Sequence, residues 1–135
     1  QTLYQHNAEQ LTQKVTQWRQ QSRQRLQQIK PSYILDHQFL AYFERDFGQE
    51  NSGSLRDNHN QGSSMRQLSE LHQRLQRSPA QCLLVTRLPI SPQAEQISQR
   101  YQLRIKLLNT LGETENYANI IDLLEDIVIA LSGCE

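Results

Sequence analysis

The side chains best suited to chemistry are four histidines, two cysteines and a scatter of carboxylates and serines. His37 stands out by its setting. It lies in Tyr33-Ile34-Leu35-Asp36-His37-Gln38-Phe39-Leu40-Ala41-Tyr42-Phe43, where a short apolar run passes into an aromatic-rich segment. In open α/β sheets, ligands gather outside the carboxyl ends of strands. A neutral imidazole at such a point can ligate zinc. It can equally cap a helix or pack in a crevice. Asp36 could orient the ring, but adjacent strand residues point to opposite faces. His6 falls on the first helix, His72 on a helix surface and His59 in a polar loop. None has a spacing such as His-x-x-x-His that would bring two rings to one ion.

No catalytic set is visible. There is no Gly-x-Ser-x-Gly, no Gly-rich phosphate loop and no carboxylate pair at a strand end. Ser91, Ser98 and the other serines lack an evident base, so the chain is not expected to be an enzyme. Cys82 and Cys134 would suit either one disulfide in an oxidising compartment or two buried thiols.

The elements that must position His37 follow from periodicity. Tyr4, Ala8, Leu11, Val15, Trp18, Ser22, Leu26 and Ile29 recur at spacings of three and four, with Gln, Arg and Lys opposite. A helix of about 26 residues would be about 39 Å long, enough for a spine across two lobes or a coiled-coil arm. Pro31 stops it. Residues 32–35 are a strand candidate and 38–47 a helix candidate, with Gly48 as its stop. Residues 49–62 are polar and turn-rich, a loop with room for one weak edge strand. Ser63 or Ser64 can cap the next helix, whose apolar face is Met65, Leu68, Leu71 and Leu75. Cys82-Leu83-Leu84-Val85-Thr86 is a continuous apolar run, as in a parallel strand covered on both faces. Ser91-Pro92 starts another helix. Leu103, Ile105 and Leu107 alternate with Arg104 and Lys106, which places that strand nearer an edge. Asn109 to Glu113 form a loop, and a last helix runs over 114–131, closed by Gly133. Helix first, then strand and helix in alternation, predicts an α/β lobe. Its roughly four-stranded parallel sheet is flanked by helices and preceded by the long N-terminal helix. The expected division is a linking helix at 1–30 and an α/β lobe at 31–135, together one domain.

Composition excludes further classes. The chain has 135 residues, with 14 Lys+Arg against 14 Asp+Glu. Zero net charge argues against a nucleic-acid binder. No run of about 18 apolar residues is present, so no membrane span is expected. Gln1-Thr2-Leu3-Tyr4 lacks the basic start and apolar core of a signal peptide. The chain is expected to begin inside a longer protein.

The order of elements and several motifs resemble the C-terminal lobe of the periplasmic zinc-binding proteins of bacterial zinc and manganese ABC transporters. The likeness covers essentially the whole chain. In that family a long linking helix leads to a strand and a His-Asp-Ala-Phe/Tyr-Gly-Tyr-Phe segment. The matching stretch here is His37-Gln38-Phe39-Leu40-Ala41-Tyr42-Phe43, followed by Glu44-Arg45-Asp46-Phe47-Gly48. Ser63-Ser64-Met65 and Leu68-Ser69-Glu70-Leu71 resemble the next helix. Cys82-Leu83-Leu84-Val85-Thr86 resembles the family's Cys-plus-apolar strand. Leu108-Asn109-Thr110-Leu111-Gly112 falls where the family has Leu-Asp-Pro-Leu-Gly, and Tyr117 opens the terminal helix. The resemblance implies a solute-binding role in metal transport, a periplasmic location and a Cys82–Cys134 disulfide.

It also implies a metal site between two lobes, with His37 as this lobe's histidine ligand. The departures bear on that site. Asn109 stands at the family's acidic ligand position and is a poorer ligand than a carboxylate. Gln38 replaces the Asp after the histidine. The family's middle-loop Glu or Gln falls near Thr86 or Arg87, and an arginine beside a cation site opposes metal. Tight zinc sites use three or four protein ligands. Zinc is therefore expected to be held weakly or not at all by this domain alone. Two readings follow. One is a zinc-receptor-like C-terminal domain whose metal site is degenerate, or incomplete without an N-terminal lobe. Its partners would be that lobe or another chain, and an ABC transporter permease. The other is a stand-alone protein–protein interaction module that kept the scaffold without the metal. A helix face carrying an unpaired Trp18 would favour the module.

Overall fold

The computed structural model describes residues 2–56, 64–108 and 120–135. The expectations for Ser63, His59, Asn109 to Glu113, Tyr117 and the start of the last helix lie outside those residues. The elements run α1 (Leu3–Ile29), β1 (Tyr33–His37), α2 (Ala41–Phe47), β2 (Ser54–Arg56), α3 (Met65–Arg77), β3 (Cys82–Val85), α4 (Pro92–Arg100), β4 (Arg104–Leu107) and α5 (Ile120–Ser132). The four strands form one parallel sheet in the order β2-β1-β3-β4. The expected α/β architecture is thus the observed one.

Local chemistry explains where the elements stop and start. Thr2 caps α1 by accepting from the Gln5 amide at 3.2 Å, and Gln5 returns a bond to the Thr2 amide. Lys30 closes the helix in the left-handed conformation just before Pro31. Gly48 ends α2 at φ 65°, a conformation that costs glycine nothing. Ser64 caps α3 and Ser91 caps α4, each through the backbone N–H three residues on.

Alternation along the buried strands divides the core into two layers. Tyr33, Leu35, Cys82 and Leu84 face Leu26, Phe43, Phe47, Ile127 and Leu131 on one side of the sheet. Ile34, Leu83, Val85 and Leu55 face Leu71, Leu75, Ala94 and Ile97 on the other. β3 is buried along its whole length, as its apolar run predicts. β4 lies at the edge, with Ile105 and Leu107 exposed. Met65 departs from the predicted face of α3: it is 85% exposed at the helix start, and the buried stripe begins at Leu71.

α1 changes character along its length. Ser22 and Leu26 are buried, and Trp18 meets the Phe47 ring edge-on at 5.7 Å and donates to Glu125. By contrast residues 2–14 are all exposed, including Leu3, Tyr4 and Leu11 from the predicted apolar face. The chain end is pinned to the middle of the sheet. A Cys82–Cys134 disulfide joins residues 52 apart, and the Ser32 amide donates to the Cys134 carbonyl at 2.8 Å. In the chain-entropy picture such a bond contributes roughly 4 kcal/mol by restricting the unfolded chain.

Candidate functional site

Parallel strands place all their carboxyl ends on one edge. Here that edge carries Arg56, His37, Val85 and Leu107 in sheet order. β1 sends its connection outward to β2, whereas the return from β2 passes over β1 to reach β3. The chain therefore switches direction between β1 and β3, where open sheets form their ligand crevice. His37 ends the strand on one side of that switch. The strand runs further than the 32–35 stretch that sequence suggested, and His37 is its last residue. Asp36 and His37 are polar and fall outside the predicted strand. Both are nevertheless buried, because each is held by its neighbours.

Arg56 stands opposite His37 in the β1–β2 register. Its Nη2 donates to Asp36 Oδ2 at 2.6 Å, a short charge-assisted bond. His37 Nδ1 lies 3.5 Å from the same oxygen. Asp36 thus lies near the imidazole at the strand end without a hydrogen bond to its Nδ1. Phe39 covers the ring at 5.1 Å between centroids. It can do so because α2 starts at Ala41, three residues later than its pattern suggests, leaving 38–40 free to fold over the strand end.

A second polar cluster lies at the start of β1. The Tyr33 hydroxyl donates to Glu44 Oε2 at 2.6 Å, and Asn51 Nδ2 donates to Glu44 Oε1 at 2.9 Å. Burial, then the hydrogen bond to Glu44, pushes the Tyr33 phenol well above its ordinary range. Asn51 Oδ1 in turn accepts from the Gly53 amide at 3.0 Å. Gly53 has φ 145°, and a Cβ there would come 2.7 Å from Leu71. The network fixes where β2 begins and hence where Arg56 falls. A polar hollow of about 360 Å³ beyond it is lined by Gln38, Asn51, Gly53, Ser64, Gln67 and Arg74, and does not include His37.

The other described histidines are separated from this edge. His6 is exposed on α1, and His72 bonds the Tyr101 hydroxyl at 2.8 Å between α3 and α4. Arg87 is exposed two residues beyond β3 on the same edge as His37. Among the described residues no group of three His, Cys, Asp or Glu side chains could hold a metal ion together. One imidazole and one carboxylate already bonded to a guanidinium do not fit a zinc ion, which takes three or four protein ligands. Sequence reasoning missed Arg56, Tyr33 and Glu44. The signal for Arg56 was slight: one apolar residue, Leu55, in an otherwise polar stretch. Among the described residues no helix is long and apolar enough to cross a membrane.

The family model described as ZnuA, zinc-uptake complex component A, periplasmic, matches residues 1–134. Solved structures share the fold. The laminin-binding protein Lmb of Streptococcus agalactiae, described as a bifunctional protein with adhesin and metal-transporting activity, aligns with a TM-score of 0.78 at 16% identity. The alignment covers 96% of this chain and 51% of that one. AdcAII of Streptococcus pneumoniae aligns with a TM-score of 0.73 at 20% identity, over 95% of this chain and 50% of that one. A structure described as ZnuA gives 0.75 at 18% identity, over 97% of this chain and 49% of that one. At these identities the likeness is one of fold. This chain spans about half the length of each. No match to a curated protein sequence reaches significance.

Proposed function

The chain belongs to the family of the periplasmic zinc-uptake complex component A, and from that premise we propose that it is the C-terminal lobe of a zinc-receptor-like protein in a periplasmic metal ABC transport system. Its metal site is degenerate, or incomplete without a second lobe. The observation that carries this reading is the contrast along α1: the helix is packed from Trp18 onward, while residues 2–14 leave Leu3, Tyr4 and Leu11 in solvent. A capped helix whose apolar side continues past its own domain is built to rest on something further. The half-length match to the solved structures supports a missing N-terminal lobe as that partner. A permease is the further partner. His37 is the metal-facing residue this lobe offers, with Asn109 at the place of the family's acidic ligand, and the reading assigns no catalysis.

The second reading is a stand-alone interaction module on the same scaffold. The Arg56–Asp36 bond favours it, because it puts a fixed positive charge beside the candidate ligand. The packing of Trp18 removes the feature that would have spoken most directly for it.

Calorimetric zinc titration of the purified chain and of a His37→Ala variant tests the site. No binding at micromolar zinc is expected from either, and tight binding lost in the variant would overturn the degenerate-site reading. Hydrogen exchange on this chain alone and on a longer form carrying the proposed N-terminal lobe tests the two-lobe reading. Residues 3–14 should exchange fast in this chain and slowly in the longer one. Fast exchange in both would remove the two-lobe reading, and slowing only on adding a separate chain would install the module.

A further inference from the structure

We infer that Arg56 is the resident cation of this site and the residue that sets its preference against divalent metal. The inference rests on the reading above that the edge around His37 descends from a metal site. It adds the group that fills that site's electrostatic role.

Three observations carry it. The oxygen of Asp36 that faces His37 is the oxygen that Arg56 holds: His37 Nδ1 and Arg56 Nη2 lie 3.5 and 2.6 Å from the same Oδ2. An ion bridging imidazole and carboxylate on this side would need that oxygen at about 2 Å. The guanidinium already stands where the ion's charge would be. Second, the pair is sheltered: the side chains of Asp36 and His37 are each 10% exposed and that of Arg56 24%, so water screens the repulsion between a guanidinium and an incoming dication poorly. Third, the placement is fixed by backbone. Arg56 is registered against His37 in the β-ladder, and β2 is started by the Asn51–Gly53 contact and buried Leu55. A guanidinium keeps its charge at every accessible pH, so no proton release opens the site. Taking the charge away should turn Asp36 and His37 into a two-ligand site for a divalent cation.

The test uses the whole chain, labelled with nitrogen-15 and titrated with zinc chloride while the His37 ring nitrogens are followed by NMR. The proteins are wild type, Arg56→Lys, and two neutral replacements, Arg56→Gln and Arg56→Ala. Either neutral variant that keeps a dispersed amide spectrum serves. Wild type and the lysine variant should respond only at high zinc, and a neutral variant at about tenfold lower zinc or less. Adding Asp36→Asn to the neutral variant should abolish the gain. Equal response in wild type and a folded neutral variant overturns the inference. The outcomes also separate from the reading above. Tight zinc binding at His37 in wild type would sink both. Silence in every protein would sink the role of Arg56 alone.

Discussion

β1 carries a polar cluster at each end, and the two are built on opposite principles. At its start buried Tyr33 and Glu44 and half-buried Asn51 bond to one another, and the cluster ties strand, helix and loop together. At its end Asp36, His37 and Arg56 converge on one carboxylate oxygen at the rim of the sheet. The first spends its polarity on closure, since a buried polar group must be satisfied or it destabilises the fold. The second keeps an imidazole and formal charges beside the switch point, where a ligand would come. The same strand thus separates what holds the lobe together from what the lobe presents.

The largest expected break is Glu44→Ala, which strands the Tyr33 hydroxyl and the Asn51 amide and should cost about 3 kcal/mol. Urea unfolding checks it, and a loss under about 1 kcal/mol would mean that water satisfies the cluster. Tyr33→Phe should cost about 1.5 kcal/mol at neutral pH. It also carries a sign in pH. The phenol is raised above its unfolded value, so its contribution is fully present below pH about 10 and is lost as pH rises beyond it. Wild type should therefore lose stability above that pH more steeply than the Phe variant; parallel curves would contradict the assignment. At the other end, a double-mutant cycle on Asp36→Asn and Arg56→Gln should give a coupling of about 1 kcal/mol that changes little in about 1 M salt, since the pair is sheltered. A coupling lost in salt would mean that this cluster, unlike the first, is open to solvent. The smallest effect belongs to Gln38, which lies between them with Oε1 3.4 Å from Asn51 Nδ2. Gln38→Ala should change stability by under about 0.5 kcal/mol and add simply to Arg56→Gln. Non-additivity would join the two clusters into one network.

Most of the scaffold was legible because periodicity reports burial directly. The run Cys82 to Val85 and the caps at Ser64 and Ser91 needed no tertiary knowledge. The site was far less so. Tyr33 and Glu44 are 11 residues apart across a turn, and no local pattern links them. Asp36 and His37 fall beyond the predicted strand because the group that permits their burial, Arg56, comes 20 residues later than Asp36 in a three-residue strand. Polar residues are made strand-like only by partners that the fold delivers. The outer half of α1 shows the converse. Tyr4, Ala8 and Leu11 continue the apolar period without being buried, since periodicity marks the side meant for contact and not the partner that makes it.

The disulfide gives the lobe a mechanical property. Cys134 is bonded to the first residue of β3, so a load on Glu135 enters the sheet at Cys82 without passing through α5. Pulled from its two ends, the protein would yield the contour of α1 and the first strands, while the loop between positions 82 and 134 stayed hidden. A reductant would release that length as a separate step in a force–extension trace. α5 is thus bypassed by tension, even though it lies close to the end that is pulled.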